Sequence, residues 1–162
     1  MHSILDEALW SDGERLRGGY LDALEEAGIP FDTALITHVL KNEGQATRAV
    51  SGMLALADPP TAIFTTETEA TVGGALHSLR AKNLRLPKDV SLIGFDDSPW
   101  AAVMEPPLTM IQQPMRQMGG AVASQQLIAR IDGDTSAPKK HVLPSLLVAR
   151  SSDGPVRAAR GD

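Results

Sequence analysis

The chain has 162 residues, 43% of them hydrophobic and 22% charged, with a net charge of −5 and no cysteine. That length supports one ordinary domain with a real core. The acidic balance argues against a face built to grip phosphates, and the lack of cysteine excludes disulfides, zinc thiolates and a thiol nucleophile.

No apolar run approaches the roughly 20 residues that span a bilayer. Met1–Trp10 lacks the basic start and apolar core of a secretory signal, so a cytoplasmic protein without membrane contact is expected. Met1–Ser11 holds no readable element: Ser3-Ile4-Leu5 is too short for a secure strand, and Trp10 reads as a packing residue. Ser11 or Asp12 suits the N-cap of a helix running to about Ala27, with Leu16, Tyr20, Leu24 and Ala27 at helical spacing. Gly28 ends it. After a turn, Thr33–Leu40 reads as a strand and Gln45–Ala57 as a helix stopped by Asp58-Pro59-Pro60.

Thr61–Thr65 is the next strand, and Glu67–Asn83 carries a helix with Val72, Leu76 and Leu79 on one side. Val90-Ser91-Leu92-Ile93-Gly94-Phe95 is a short, nearly all-apolar run, as expected of a strand buried on both faces of a parallel sheet. It ends in Asp96 and Asp97, at the strand end where open α/β sheets bind ligands. A solvated capping turn is the alternative reading of that pair. Ser98–Met104 predicts a short helix, Leu108–Gln112 a strand, Met115–Ile131 a helix opened by Pro114, and His141–Val148 a last strand. Strand and helix alternate from Thr33 onward, which predicts a doubly wound α/β domain with a mostly parallel sheet.

Several motifs in fixed order, Pro60-Thr61-Ala62-Ile63-Phe64, Gly74-Ala75-Leu76, Leu84–Asp97, Pro106-Pro107-Leu108-Thr109, Gln112-Gln113-Pro114 and Met118-Gly119, resemble the LacI/GalR (lactose-repressor) family of bacterial transcriptional regulators. The resemblance runs from about Gly13 to Ser152 and implies the C-terminal part of an effector-binding domain with a periplasmic-binding-protein-like fold. It implies one nearly complete lobe, residues 11–112 with 146–152, and a segment, 113–145, belonging to the other lobe. Residues 153–162 are expected to be a flexible tail, and the DNA-binding head to be absent. The helix Met115–Ile131 is then expected to show an uncovered apolar side including Met118, Val122, Leu127 and Ile131.

The resemblance also implies site residues. Asp96 matches an aspartate that accepts hydrogen bonds from an effector, which suits a group offering acceptors only. Arg15 matches an effector-contacting arginine, with Arg17 taking the role if the extra glycine of the Gly18-Gly19 pair lies elsewhere; a surface charge is the competing reading. Glu67 replaces a more usual Asn or Asp and equally suits a helix start. Lys41 falls on a ligand-facing loop. Val72 and Met104 match positions that pack across a homodimer interface, with burial in their own core as the competing explanation.

Gly18-Gly19, Gly73-Gly74 and Gly119-Gly120 fall where the family pattern has a single glycine. Each pair lies inside a predicted helix, where an inserted residue turns the remainder of the helix by about 100° unless a π-bulge absorbs it. No catalytic motif appears, and His2, His38, His77 and His141 have no second ligand at metal spacing, so neither an enzyme nor a cofactor is expected. The expected function is sensing of a sugar or related metabolite, with DNA engaged only through the missing head. A periplasmic sugar-binding protein is the alternative.

Overall fold

A computed structural model describes residues 2–6, 11–39, 42–66 and 69–155; for residues 2–6, 11–15 and 69 it describes the backbone only. The strands are β1 (His2–Asp6), β2 (Ile36–His38), β3 (Ala62–Thr65), β4 (Ser91–Phe95), β5 (Thr109–Gln112) and β6 (Leu146–Val148). The helices are α1 (Ser11–Glu26), α2 (Glu43–Met53), α3 (Glu69–Ala81), α4 (Pro99–Val103) and α5 (Ser124–Ile131). One six-stranded sheet has the order β2-β1-β3-β4-β5-β6; every pairing is parallel except β5 with β6.

This is the predicted doubly wound class. Right-handed crossovers send α1 to one face of the sheet and α2, α3 and α4 to the other, because the chain reverses direction across the sheet after β2. The core between sheet and helices is aliphatic, built on Val50, Ile63, Val72, Leu79, Leu92, Leu108 and Met110. The stop signal at Gly28 acts as predicted. Gly28 adopts φ 65° and ends α1 with the Ile29 amide donating to the Leu24 carbonyl at 2.9 Å, a Schellman closure. The Asn42 side chain accepts from the Gln45 amide at 3.0 Å and starts α2.

Four expectations need correction. Residues 2–6, too short to read as a strand, form β1 between β2 and β3, with Ile4 opposite both Ile36 and Phe64. Ladders on both sides stabilise a segment whose own propensity is weak. Thr33–Leu40 is not one strand: Asp32 accepts from the Ala34 amide at 2.8 Å and winds Thr33–Leu35 into a 3-10 turn. In the last strand only Leu146–Val148 pairs, since Pro144 cannot donate to a ladder and residues 141–143 have no neighbouring strand among the described residues. The single helix predicted from Met115 opens as a π-helix, Arg116–Ala123, before α5. The Ser124 hydroxyl donates to the Gly119 carbonyl at 2.8 Å, five residues back.

Segment 113–145 contributes no residue to the core. Met118 is 44% exposed, Leu127 62% and Ile131 74%, with Val122 half-buried. The expected uncovered apolar side is present.

The glycine pairs separate by what surrounds them. Gly119-Gly120 lies within the π-helix, whereas α1 and α3 run as regular α-helices through Gly18-Gly19 and Gly73-Gly74. Within α3, Gly74 is a contact point: a Cβ there would lie 2.6 Å from the Ala46 Cβ, 2.7 Å from the Glu43 carbonyl oxygen and 2.8 Å from the Thr47 amide nitrogen. At Gly73 the same atom would sit in ordinary contact, 3.7 Å from the Glu43 side chain. The Ser78 hydroxyl, bonded to the Thr47 carbonyl at 2.8 Å, seals the same crossing of α2 and α3. Gly74→Ala is therefore expected to lower stability by about 1–3 kcal/mol through overpacking. Gly73→Ala should be neutral or stabilising by up to about 1 kcal/mol. Urea unfolding of the two variants beside the parent chain checks the difference, and equal midpoints would refute this assignment of the close approach.

Candidate ligand-binding site

A parallel sheet delivers the carboxyl ends of its strands to one edge, and the strand order reverses between β1 and β3, where open α/β sheets form their ligand crevice. Asp96 stands at that edge, one residue beyond β4 and one strand from the reversal. It is exposed, and its backbone adopts φ 73°, a left-handed conformation that costs a non-glycine residue free energy and recurs at functional sites. The Asp96 and Asp97 amides both donate to the Ile111 carbonyl, at 2.8 and 3.2 Å. The Gln113 side-chain amide donates to Asp96 Oδ1 at 3.2 Å. A carboxylate with spare acceptor sites beside an amide that both donates and accepts suits a ligand rich in hydroxyl groups.

Asp97 does something different. Its two carboxylate oxygens take both terminal nitrogens of Arg150, each at 2.8 Å, with side-chain exposures of only 11% and 17%. This is the fork-to-fork geometry of a strong, directional pair. The hydrogen bonds that Arg150 donates to Asp97 raise the Arg150 pKa above its ordinary value, against the opposing effect of burial. Asp97 is thus occupied by the fold, and the two neighbouring acids have separate roles.

Of the other predicted residues, Arg15 has its backbone in the second turn of α1, the helix that follows β1; its side chain lies outside the described residues. Glu67, which follows β3, Lys41, which follows β2, and Trp10 also lie outside them. Val72 is completely buried, with its Cγ2 close against Gly94. Its side chain presents no surface to a second subunit, and core packing accounts for it. Met104 is half-buried and packs on the rim of the same core. Sequence reasoning missed Gln113 and Arg150. Gln113 was legible in principle, one residue past the strand beside β4; Arg150, 53 residues from Asp97, had no local signal.

A groove of about 510 Å³ lies elsewhere, between α2 and α3, lined by Glu43, Gly73, Leu76, His77, Arg80 and Ala81. Among the described residues no group of three or more His, Asp or Glu side chains is placed to hold a metal ion, and no helix is long and apolar enough to cross a membrane.

A mostly parallel, doubly wound sheet with an exposed acceptor at its carboxyl edge has the layout of the periplasmic-binding-protein class. Comparison with known proteins agrees. Residues 5–152 match the periplasmic binding protein-like domain family. The probable opine utilization operon repressor of Rhizobium rhizogenes is 38% identical over 144 residues, covering 88% of this chain and 72% of that protein. The HTH-type transcriptional regulator CelR of Thermobifida fusca is 36% identical over 139 residues, covering 86% of this chain and 40% of the relative. Among solved structures, a CelR–cellobiose complex superposes with a TM-score of 0.83 at 32% identity, covering 93% of this chain and 46% of that one. A LacI-family regulatory protein from Chloroflexus aggregans gives a TM-score of 0.84 at 28% identity, covering 94% of this chain and 55% of the other.

The chain belongs to the LacI family of regulators and corresponds to the effector-binding region. It spans about two fifths of CelR and about half of those two solved chains. These relatives are transcriptional regulators, which does not favour the periplasmic alternative.

The backbone at Asp96 generates a stability test. Replacing it with glycine removes the left-handed penalty, so Asp96→Gly is expected to leave stability unchanged or raise it by about 1 kcal/mol, although it deletes a hydrogen-bonding carboxylate. A fall of the urea midpoint in this variant would show that the carboxylate serves the fold.

Proposed function

We propose that these residues form the effector-sensing lobe of a bacterial LacI-type transcription regulator. A sugar or related polyhydroxylated metabolite is bound at the carboxyl edge of the sheet, without chemical conversion. The observation that carries this reading is Asp96: an exposed carboxylate in a costly backbone conformation, beside Gln113, on a lobe that matches a regulator solved with cellobiose. The closely similar repressor of opine utilization widens the effector class to opines.

Arg15 or Arg17, Lys41 and Glu67 follow strands of the same edge in sequence and are the further proposed contacts. Residues 113–145 would belong to a second lobe closing over the ligand, and 11–112 with 146–152 to the lobe described. The ligand's differential affinity for two lobe arrangements then biases a DNA-binding head outside these residues. A homodimer acting in the cytoplasm completes the proposal, with Met104 at the rim available to a partner.

Hydrogen bonds to a charged group contribute about 1.5–3 kcal/mol. Asp96→Ala in the full-length regulator is therefore expected to weaken effector binding by about 10- to 150-fold while leaving the circular dichroism unchanged. Titration calorimetry against cellobiose, other disaccharides and opines identifies the effector with the parent protein and then checks the variant. Unaltered affinity in Asp96→Ala would remove the assigned role.

A further inference from the structure

We infer that Asp97 and Arg150 are positioning residues for the Asp96 carboxylate. The inference rests on the proposed role of Asp96 as the ligand acceptor, and adds the device that aims it.

Aspartate takes a left-handed position more readily than most residues, but still needs contacts that hold it there. The backbone supplies part of that: one carbonyl, of Ile111, accepts from both the Asp96 and Asp97 amides. Those two bonds converge on one acceptor atom, so they fix the turn's distance from β5 better than its orientation. The second fixed point is the Asp97 side chain, held by both terminal nitrogens of Arg150. A two-point grip fixes orientation as well as distance.

Arg150 is itself immobilised. Its guanidinium donates to the Leu108 carbonyl at 2.6 Å and its backbone amide to Thr109 Oγ1 at 2.8 Å. Two residues on, fully buried Ser152 accepts from the Thr109 amide at 2.8 Å and donates to the Leu92 carbonyl; the Leu92 amide returns a bond to the Ser152 carbonyl at 2.8 Å. Residues 150–152 are therefore stitched to β4 and β5, and Asp97 is anchored to that stitching. Asp97 turns into the fold while Asp96, its neighbour, is left in solvent within reach of Gln113. Holding the first sets the direction of the second. Because Arg150 comes two residues after β6, the aim of Asp96 is tied to the strand on which the chain returns from segment 113–145.

The test is heteronuclear NMR on the labelled chain, with no ligand added, comparing the parent with Arg150→Lys and Asp97→Asn. Lysine keeps the charge but loses the fork; asparagine keeps the shape but loses the charge. The expected result is that backbone signals of Leu92, Met110 and α2 stay in place. The Asp96 amide and the Gln113 side-chain amide pair should shift, and the nuclear Overhauser contact between Gln113 and Asp96 should be lost. A merely structural pair would leave the Asp96 and Gln113 signals where they were whatever the fall in the urea midpoint, which overturns the inference. Should Arg150→Lys fail to fold, Asp97→Asn alone decides by the Gln113 side-chain signals and the Overhauser contact, which the change next to Asp96 does not move by itself. Should both fail, the pair is a folding requirement and the positioning role is refuted. These readouts do not involve effector binding, so failure of the assigned role of Asp96 in calorimetry is recognised separately.

Discussion

The ion pair between Asp97 and Arg150 joins the end of the central strand to a segment that returns 53 residues later. Most of what is distinctive in the lobe depends on that closure. β4 buries Leu92 and Gly94 on one face and partly covers Ser91, Ile93 and Phe95 on the other, and its final turn must re-emerge into solvent without orphaning backbone groups. The Ile111 carbonyl meets that demand for the Asp96 and Asp97 amides, while the Arg150 fork holds the Asp97 side chain and the Ser152 hydroxyl ties the starts of β4 and β5 together. Removing one partner of such a pair leaves a charge with little water around it, which is why such contacts are costly to break even where their net contribution to stability is small.

A consequence is the division of labour between two adjacent acids. Asp97 has little exposed side-chain surface and both oxygens occupied; Asp96 is exposed and in a conformation the fold tolerates at a cost. Natural proteins retain local strain chiefly at sites of function, where the surrounding structure offsets it. The proposed sensing role and the strain therefore fall on the same residue, and the supporting contacts on its neighbour.

The three glycine pairs illustrate how one sequence feature meets different physical solutions. In α3 one glycine permits α2 to approach backbone to backbone and the other merely occupies the helix. In the segment beginning at Arg116 the pair sits within a π-helix with no buried residue, where nothing is near enough to penalise the altered register. In α1 a Cβ on either glycine would meet nothing within 4 Å among the described residues. A repeated dipeptide is one pattern to a reader of sequence and three environments in space.

The sequence by itself determined the alternation of strand and helix, the nearly all-apolar central strand, the helix end at Gly28, and the position of Asp96 at a strand end. All of these are short-range consequences of periodicity and turn chemistry. The motifs in order also carried the family. Tertiary structure alone decided the rest: that residues 2–6 become an inner strand, that Val72 is core, that Thr33–Leu35 winds into a turn before β2, and that Asp97 and Gln113 stand on either side of Asp96 with opposite duties. Those outcomes depend on partners tens of residues away, through ladders, close backbone approach and a guanidinium fork. Such pairings are invisible in any local window because the free energy that selects them exists only once the chain has closed on itself.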